Sequence, residues 1–194
     1  MDSVRLQAFS DGVLAIIITI MVLELKVPHS DQLISLKPVM PVFLSYVLSF
    51  IYVGIYWNNH HHMFSAVDLI NGKVLWANSH LLFWLSLTPF TSAWMGENNF
   101  SKWPVILYGF VLMMNSIAYY ILAQTLIKIQ GKDSTLGKAI GRDKKGVVSL
   151  LIYIAGILVC FINSWIGLAL YAFVAFMWLI PDKRIERKLA SKEK

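Results

Sequence analysis

Apolar residues in this chain gather in long unbroken runs with short polar connections, and neither the 3.6-residue period of a surface helix nor strand-like alternation dominates. Four runs cover residues 12–25, 39–57, 74–94 and 103–127. Lys26 and Pro28 close the first, and Pro38 precedes the second, which runs into Asn58-Asn59-His60-His61-His62. A short Gly96-Glu97-Asn98-Asn99 turn divides the third from the fourth. A last run, 147–180, would reach about 51 Å as one helix, well beyond a hydrocarbon core of about 30 Å. It is therefore expected to turn near Asn163-Ser164 and form two helices. The pattern predicts an all-α membrane protein with six transmembrane helices.

Composition strengthens the membrane reading. Of the chain's 194 residues, 57% are apolar and 14% charged, and the mean hydropathy is +0.62, whereas soluble domains carry about 25% charged residues. One cysteine, Cys160, excludes a disulfide framework. The net charge of +6 resides in the connections and the end of the chain rather than in a nucleic-acid-binding face, so no nucleic-acid partner is expected. With six spans and a cytoplasmic N-terminus, fourteen of the seventeen Lys and Arg lie inside, as cytoplasmic segments favour. Only Lys26, Lys37 and Lys102 lie outside, and both termini are expected to be cytoplasmic. Trp57, Trp76, Trp94, Trp103, Trp165 and Trp178 fall near span ends, while Trp84 is mid-span. Residues 1–181 are read as one transmembrane domain and 182–194 as a basic cytoplasmic tail. Because Asp11 and Glu24 flank the first run and no small-residue cleavage pattern follows, that run is expected to be a permanent helix.

The first helix is the unusual element. Its apolar run reaches only about 21 Å, so residues 5–11 are expected to continue it and carry Asp11 to membrane depth, where charges face protein, water or a partner. The competing reading makes Ser10 or Asp11 a simple helix cap. At about 100° per residue, Arg5, Phe9, Ile16, Ile20 and Leu23 share one stripe, Thr19 lies on its edge and Asp11 lies off it. Periodicity alone leaves open whether that stripe meets lipid or a pore.

The segment Arg5-Leu6-Gln7-Ala8-Phe9-Ser10-Asp11-Gly12, followed by residues 13–21, resembles the R-x-x-x-F-S-D signature of the transmembrane protein 175 family of endosomal and lysosomal potassium channels and their bacterial relatives. Trp57 with His61, and Leu85-Ser86-Leu87-Thr88-Pro89-Phe90, add to the likeness. The resemblance implies a homotetramer in the lipid bilayer of a bacterial inner membrane, with the first helix of each subunit lining a central pore. It also implies a potassium-permeable cation channel with potassium as the permeant ion and no cofactor. By motif position Ile16 forms the pore constriction, Ile20 and Leu23 extend it, and Thr19 contributes to selectivity. Ala15 stands where the family has a serine. Arg5, Phe9, Ser10 and Asp11 are placed in a helix-packing network together with His61, Asn78, His80 and the mid-span Trp84; the topology brings Arg5, Ser10, Asp11, the run 58–62, Asn78, Ser79 and His80 toward the cytoplasmic side, where polar groups of three helices could bond one another.

Other chemistries find little support. Three consecutive histidines diverge by about 100° each on a helix and cannot converge on one metal ion. The Tyr52-Val53-Gly54-Ile55-Tyr56 stretch faintly resembles a potassium filter, but it lies inside an apolar run, so Gly54 is read as a packing residue. With no G-x-S-x-G and no H-E-x-x-H motif, no enzyme is expected. A proton- or cation-coupled secondary transporter is the alternative, although repeats and paired broken helices are its usual mark.

Overall fold

The computed structural model describes residues 3–67, 70–131, 133–140 and 143–179. Its helices are α1 (Ser3–Leu23), α2 (Met40–Ser65), α3 (Gly72–Ser86), α4 (Thr88–Glu97), α5 (Lys102–Gln130), α6 (Thr135–Ile140), α7 (Lys144–Val159) and α8 (Ser164–Leu179); a 3-10 segment, Leu33–Val39, leads directly into α2. The basic tail expected at 182–194 lies outside the described residues.

Among the described residues, three helices are long and apolar enough to cross a membrane: α1 with 21 residues, the continuous unit Leu33–Ser65 with 33, and α5 with 29. The expected six membrane-spanning helices are corrected to these three. The predicted run 74–94 breaks at Leu87 into a 15-residue α3 and a 10-residue α4. Pro89 explains the break, because it lacks an amide hydrogen and its ring collides with the carbonyl four residues back. The last run turns before Ser164, where the Asn163 side chain accepts the Trp165 N–H at 2.9 Å. The α7 and α8 that result have 16 residues each, about 24 Å, short of a full hydrocarbon core.

That correction removes the even number of crossings from which cytoplasmic termini were argued. Side-chain bonds nonetheless show which ends meet. Asn78 near the start of α3 donates to Ser10 of α1, and Tyr119 of α5 donates to the Asn59 carbonyl of α2. Trp178 at the end of α8 donates to Ser149 near the start of α7. Asn59, Tyr119, Asp143 and Trp178 also line one cleft, so the start of α1 and the end of α8 share one end of the bundle. At the opposite end Lys26, beyond α1, pairs with Glu97, the last residue of α4, at 3.0 Å.

Two apolar cores hold the bundle. One joins α1, the end of α2, α3 and the second half of α5; the other joins the first half of α5 with α7, α8 and the middle of α2. Tyr171 anchors the second. A Cβ added at Gly109 of α5 would fall on its hydroxyl, and one at Gly156 of α7 would lie 2.5 Å from its ring. Gly109→Leu is therefore expected to destabilise the protein by about 1–3 kcal/mol through overpacking. Gly54 differs, since a Cβ there meets nothing within 4 Å, which corrects its reading as a packing residue. Gly54→Ala should leave stability unchanged or raise it by up to about 1 kcal/mol through helix propensity; thermal unfolding of the two variants in detergent checks both.

Candidate functional site

Helix α1 has two unlike faces. Ser3, Leu6, Ser10, Leu14, Ile17 and Met21 recur every three or four residues and are buried, against α2, α3 and α4. On the other side Ile16 is 58% exposed, Ile20 42% and Leu23 79%, with Thr19 also exposed. The Thr19 hydroxyl bonds back to the Ile16 carbonyl at 2.9 Å. Ser10 and Asp11 lie well inside the helix, so neither is its cap.

One chain of buried polar groups fixes the inner face. The Ser10 hydroxyl donates to the Leu6 carbonyl at 2.8 Å and accepts from the Asn78 amide at 2.9 Å. The Asn78 side-chain oxygen lies 2.8 Å from His60 Nε2; a carbonyl oxygen can only accept, so Nε2 carries the hydrogen and donates. All three residues are at most 2% exposed, and the His60 ring stacks on Phe64 with centroids 4.5 Å apart. Helices α1, α2 and α3 are thereby tied together at one depth. Because all three are buried, Asn78 and His60 depend on this chain for their partners.

The remaining expected network residues fall into separate contacts. Asp11 is exposed and accepts from Trp57 Nε1 of α2 at 3.0 Å, while His61 stacks beside the same indole at 6.1 Å. Trp84 donates to His80 at 2.9 Å within α3 and meets Phe110 of α5 edge-on. Arg5 and Phe9 are exposed. The run 58–62 is expected at this depth with His61 singled out; it is His60 that the structure buries and joins to Asn78. Buried positions of α2 include Ser45, Ser49, Val53, His60 and Phe64, a stripe with helical spacing on which position 60 falls and position 61 does not.

Comparison with known proteins draws on the same segment. Residues 5–89, which contain every member of the buried chain, match the family described as endosomal/lysosomal potassium channel TMEM175. A potassium channel of Chryseobacterium sp. (strain P1-3) is 55% identical over 185 residues, covering 95% of this chain and 96% of that protein. The chain belongs to the TMEM175 family. A potassium channel of Streptomyces collinus is 33% identical over 129 residues, covering 62% of this chain and 63% of that one. The crystal structure of a lysosomal potassium-selective channel TMEM175 homolog from Chamaesiphon minutus superposes with a TM-score of 0.79 at 26% identity, covering 93% of this chain and 97% of that one. As a family member with long apolar helices, the chain is an integral membrane, channel-type protein and not an enzyme. Among the described residues no three His, Cys, Asp or Glu side chains gather where they could hold a metal ion.

Proposed function

We propose that this chain is the subunit of a potassium-permeable cation channel of the bacterial cell membrane, assembled as a homotetramer with α1 lining the pore. The observation that carries this reading is the exposed apolar stripe of Ile16, Ile20 and Leu23, opposite a buried face anchored to two neighbouring helices. The potassium channels named among its relatives support the permeant ion. Four Ile16 side chains form the constriction, and Ile20 and Leu23 add further apolar rings. Such rings expel water when narrow, which strips a permeating ion of hydration and stops conduction. A small outward tilt of α1 rehydrates them. Thr19, on the edge of the stripe, supplies the hydroxyl that biases the cation passing.

The end of the bundle holding the start of α1 and the end of α8 faces the cytoplasm. Its connection, residues 128–145, carries six basic and two acidic residues, the bias of cytoplasmic segments. The test of the whole reading is ion flux through purified protein in liposomes under potassium, sodium and proton gradients. A passive potassium flux exceeding sodium flux supports it; flux that requires a proton or sodium gradient sinks the channel reading in favour of coupled transport.

Asp11 is assigned to packing rather than to ion contact. Asp11→Ala removes the acceptor for Trp57 and is expected to cost about 0.6–2 kcal/mol of assembly stability. Trp57→Phe should cost a similar amount, and the double variant little more. Size-exclusion yield and thermal unfolding measure the loss. A variant that assembles normally but changes potassium preference would place the carboxylate in the ion path instead.

A further inference from the structure

In the bundle interior the Ser49 hydroxyl of α2 donates to Ser92 of α4 at 2.9 Å and lies 3.0 Å from the Tyr108 hydroxyl of α5. Farther along α4 and α5 stand two polar side chains that no such cluster serves. Neither polar atom of the Asn115 amide meets a hydrogen-bond partner among the described residues, nor does the Thr88 hydroxyl, and each residue is only 1% exposed. Asn115 lies near the middle of the 29-residue α5, at the depth where a membrane protein must satisfy its polar groups from within. Native interiors rarely leave a side-chain amide unmet, because stripping it of hydrogen bonds is costly.

The bonded cluster fixes how the two residues are placed. Thr88 is one turn before Ser92 and shares its buried face of α4. Asn115 is seven residues after Tyr108, so two turns return it to the same buried face of α5. Between these helices residues 98–101 reverse the chain, with positive φ at Asn99 and Phe100, and α4 packs on α5. Stepping back along α4 and forward along α5 therefore leads in one direction from the cluster. Thr88 lies about 6 Å along it and Asn115 about 10.5 Å. The difference of about 4.5 Å is within the span of one small molecule bonded to both, since each hydrogen bond reaches about 2.8–3.0 Å. The break between α3 and α4 adds an acceptor beside Thr88, because Pro89 has no N–H for the Leu85 carbonyl four residues before it.

The groups to be served are amide hydrogens, a hydroxyl and carbonyl oxygens, and that mixture selects the ligand. A cation would leave the amide hydrogens unmet and an anion would repel the oxygens, whereas water both donates and accepts. Proline breaks at membrane depth are tolerated where hydroxyl side chains and ordered waters take up the freed backbone group. Buried waters typically make about three hydrogen bonds to polar groups that the protein leaves unmet. We infer that Asn115 and Thr88 form a buried hydration site, which holds ordered water between α5 and the start of α4 and bonds the two helices where Pro89 breaks the α3–α4 rod. The site lies inside one subunit, apart from the exposed stripe of α1, so its test is separate from that of the pore.

A structure of the wild-type assembly at a resolution that shows waters tests the site directly. Density within about 3.2 Å of both the Asn115 amide and the Thr88 hydroxyl is the expected result. An Asn115 amide bonded directly to another protein group, or contacts to apolar atoms alone, overturns the proposal. Thermal unfolding in detergent gives the energetic test. Asn115→Leu keeps the volume but removes the amide, and Thr88→Val keeps the shape but removes the hydroxyl; each is expected to lower the unfolding temperature by about 2–4 °C. The double variant should fall no further than the worse single variant, because either substitution already breaks the bridge. A rise in unfolding temperature for Asn115→Leu would mean that the amide has no partner of any kind, and strictly additive losses would mean that the two side chains share no water; either outcome sinks the site.

Discussion

Replacing Ile16 by Asn is expected to raise potassium flux per assembled tetramer about tenfold or more, the effect of removing at least about 1.4 kcal/mol from a permeation barrier. The side chain is 58% exposed on a face that α2, α3 and α4 leave open, so the polar replacement meets no packed neighbour and strands no buried group. In the proposed ring of four it would hold water that isoleucine side chains would exclude. Ile16→Cys gives the complementary result, a flux that thiol reagents block. The background is favourable because the native Cys160 is buried. Liposome flux, normalised to tetramer measured by chromatography, reads both variants. If the stripe meets lipid, Ile16→Asn lowers insertion or stability with no gain in flux, and Ile16→Cys conducts regardless of the reagent; either result removes α1 from the pore.

Asn78→Leu is expected to produce the largest loss of stability among single polar substitutions in the bundle. Leucine fits the space but offers no acceptor to His60 and no donor to Ser10, both at most 2% exposed. A buried donor left without a partner costs about 1–3 kcal/mol, and His60 is only 2% exposed. Ser10→Ala should be milder, because the Ser10 hydroxyl also bonds within its own helix to Leu6. The sharper measurement is the double variant His60→Phe/Asn78→Leu, which removes donor and acceptor together and should recover much of what Asn78→Leu alone loses. Thermal unfolding in detergent gives the three values. Strictly additive losses would mean that His60 and Asn78 contribute separately and that no coupled chain ties α2 to α3.

The recurrence of apolar residues already divides α1 into its two faces. Side chains at 5, 9, 16, 20 and 23 share a stripe whatever they meet, because the helix turns about 100° per residue, and the structure leaves that stripe exposed. The R-x-x-x-F-S-D segment was equally legible, since its match depends only on the order of residues 5–11. Apolar length, by contrast, overstated the spans. Counting residues treats 74–94 as one rod, but Pro89 ends α3 and restarts the chain as α4.

What the sequence determined by itself was local: apolar segments, a helix with one exposed face, a basic bias and family membership. Which histidine is buried was decided only by the assembled bundle, which turns position 60 toward Asn78 and leaves position 61 beside Trp57. The polar residues expected to form one network were likewise sorted by packing into a buried chain through Ser10 and an exposed contact through Asp11. The cleft lined by Tyr56 of α2, Tyr120 of α5 and the α7–α8 pair through Tyr153 and Trp178 had no sequence signal, since those three stretches are distant in the chain. Periodicity assigns a side chain to a face of its own helix; the partner across that face depends on how helices distant in sequence dock, and that is set by the summed packing of the whole bundle.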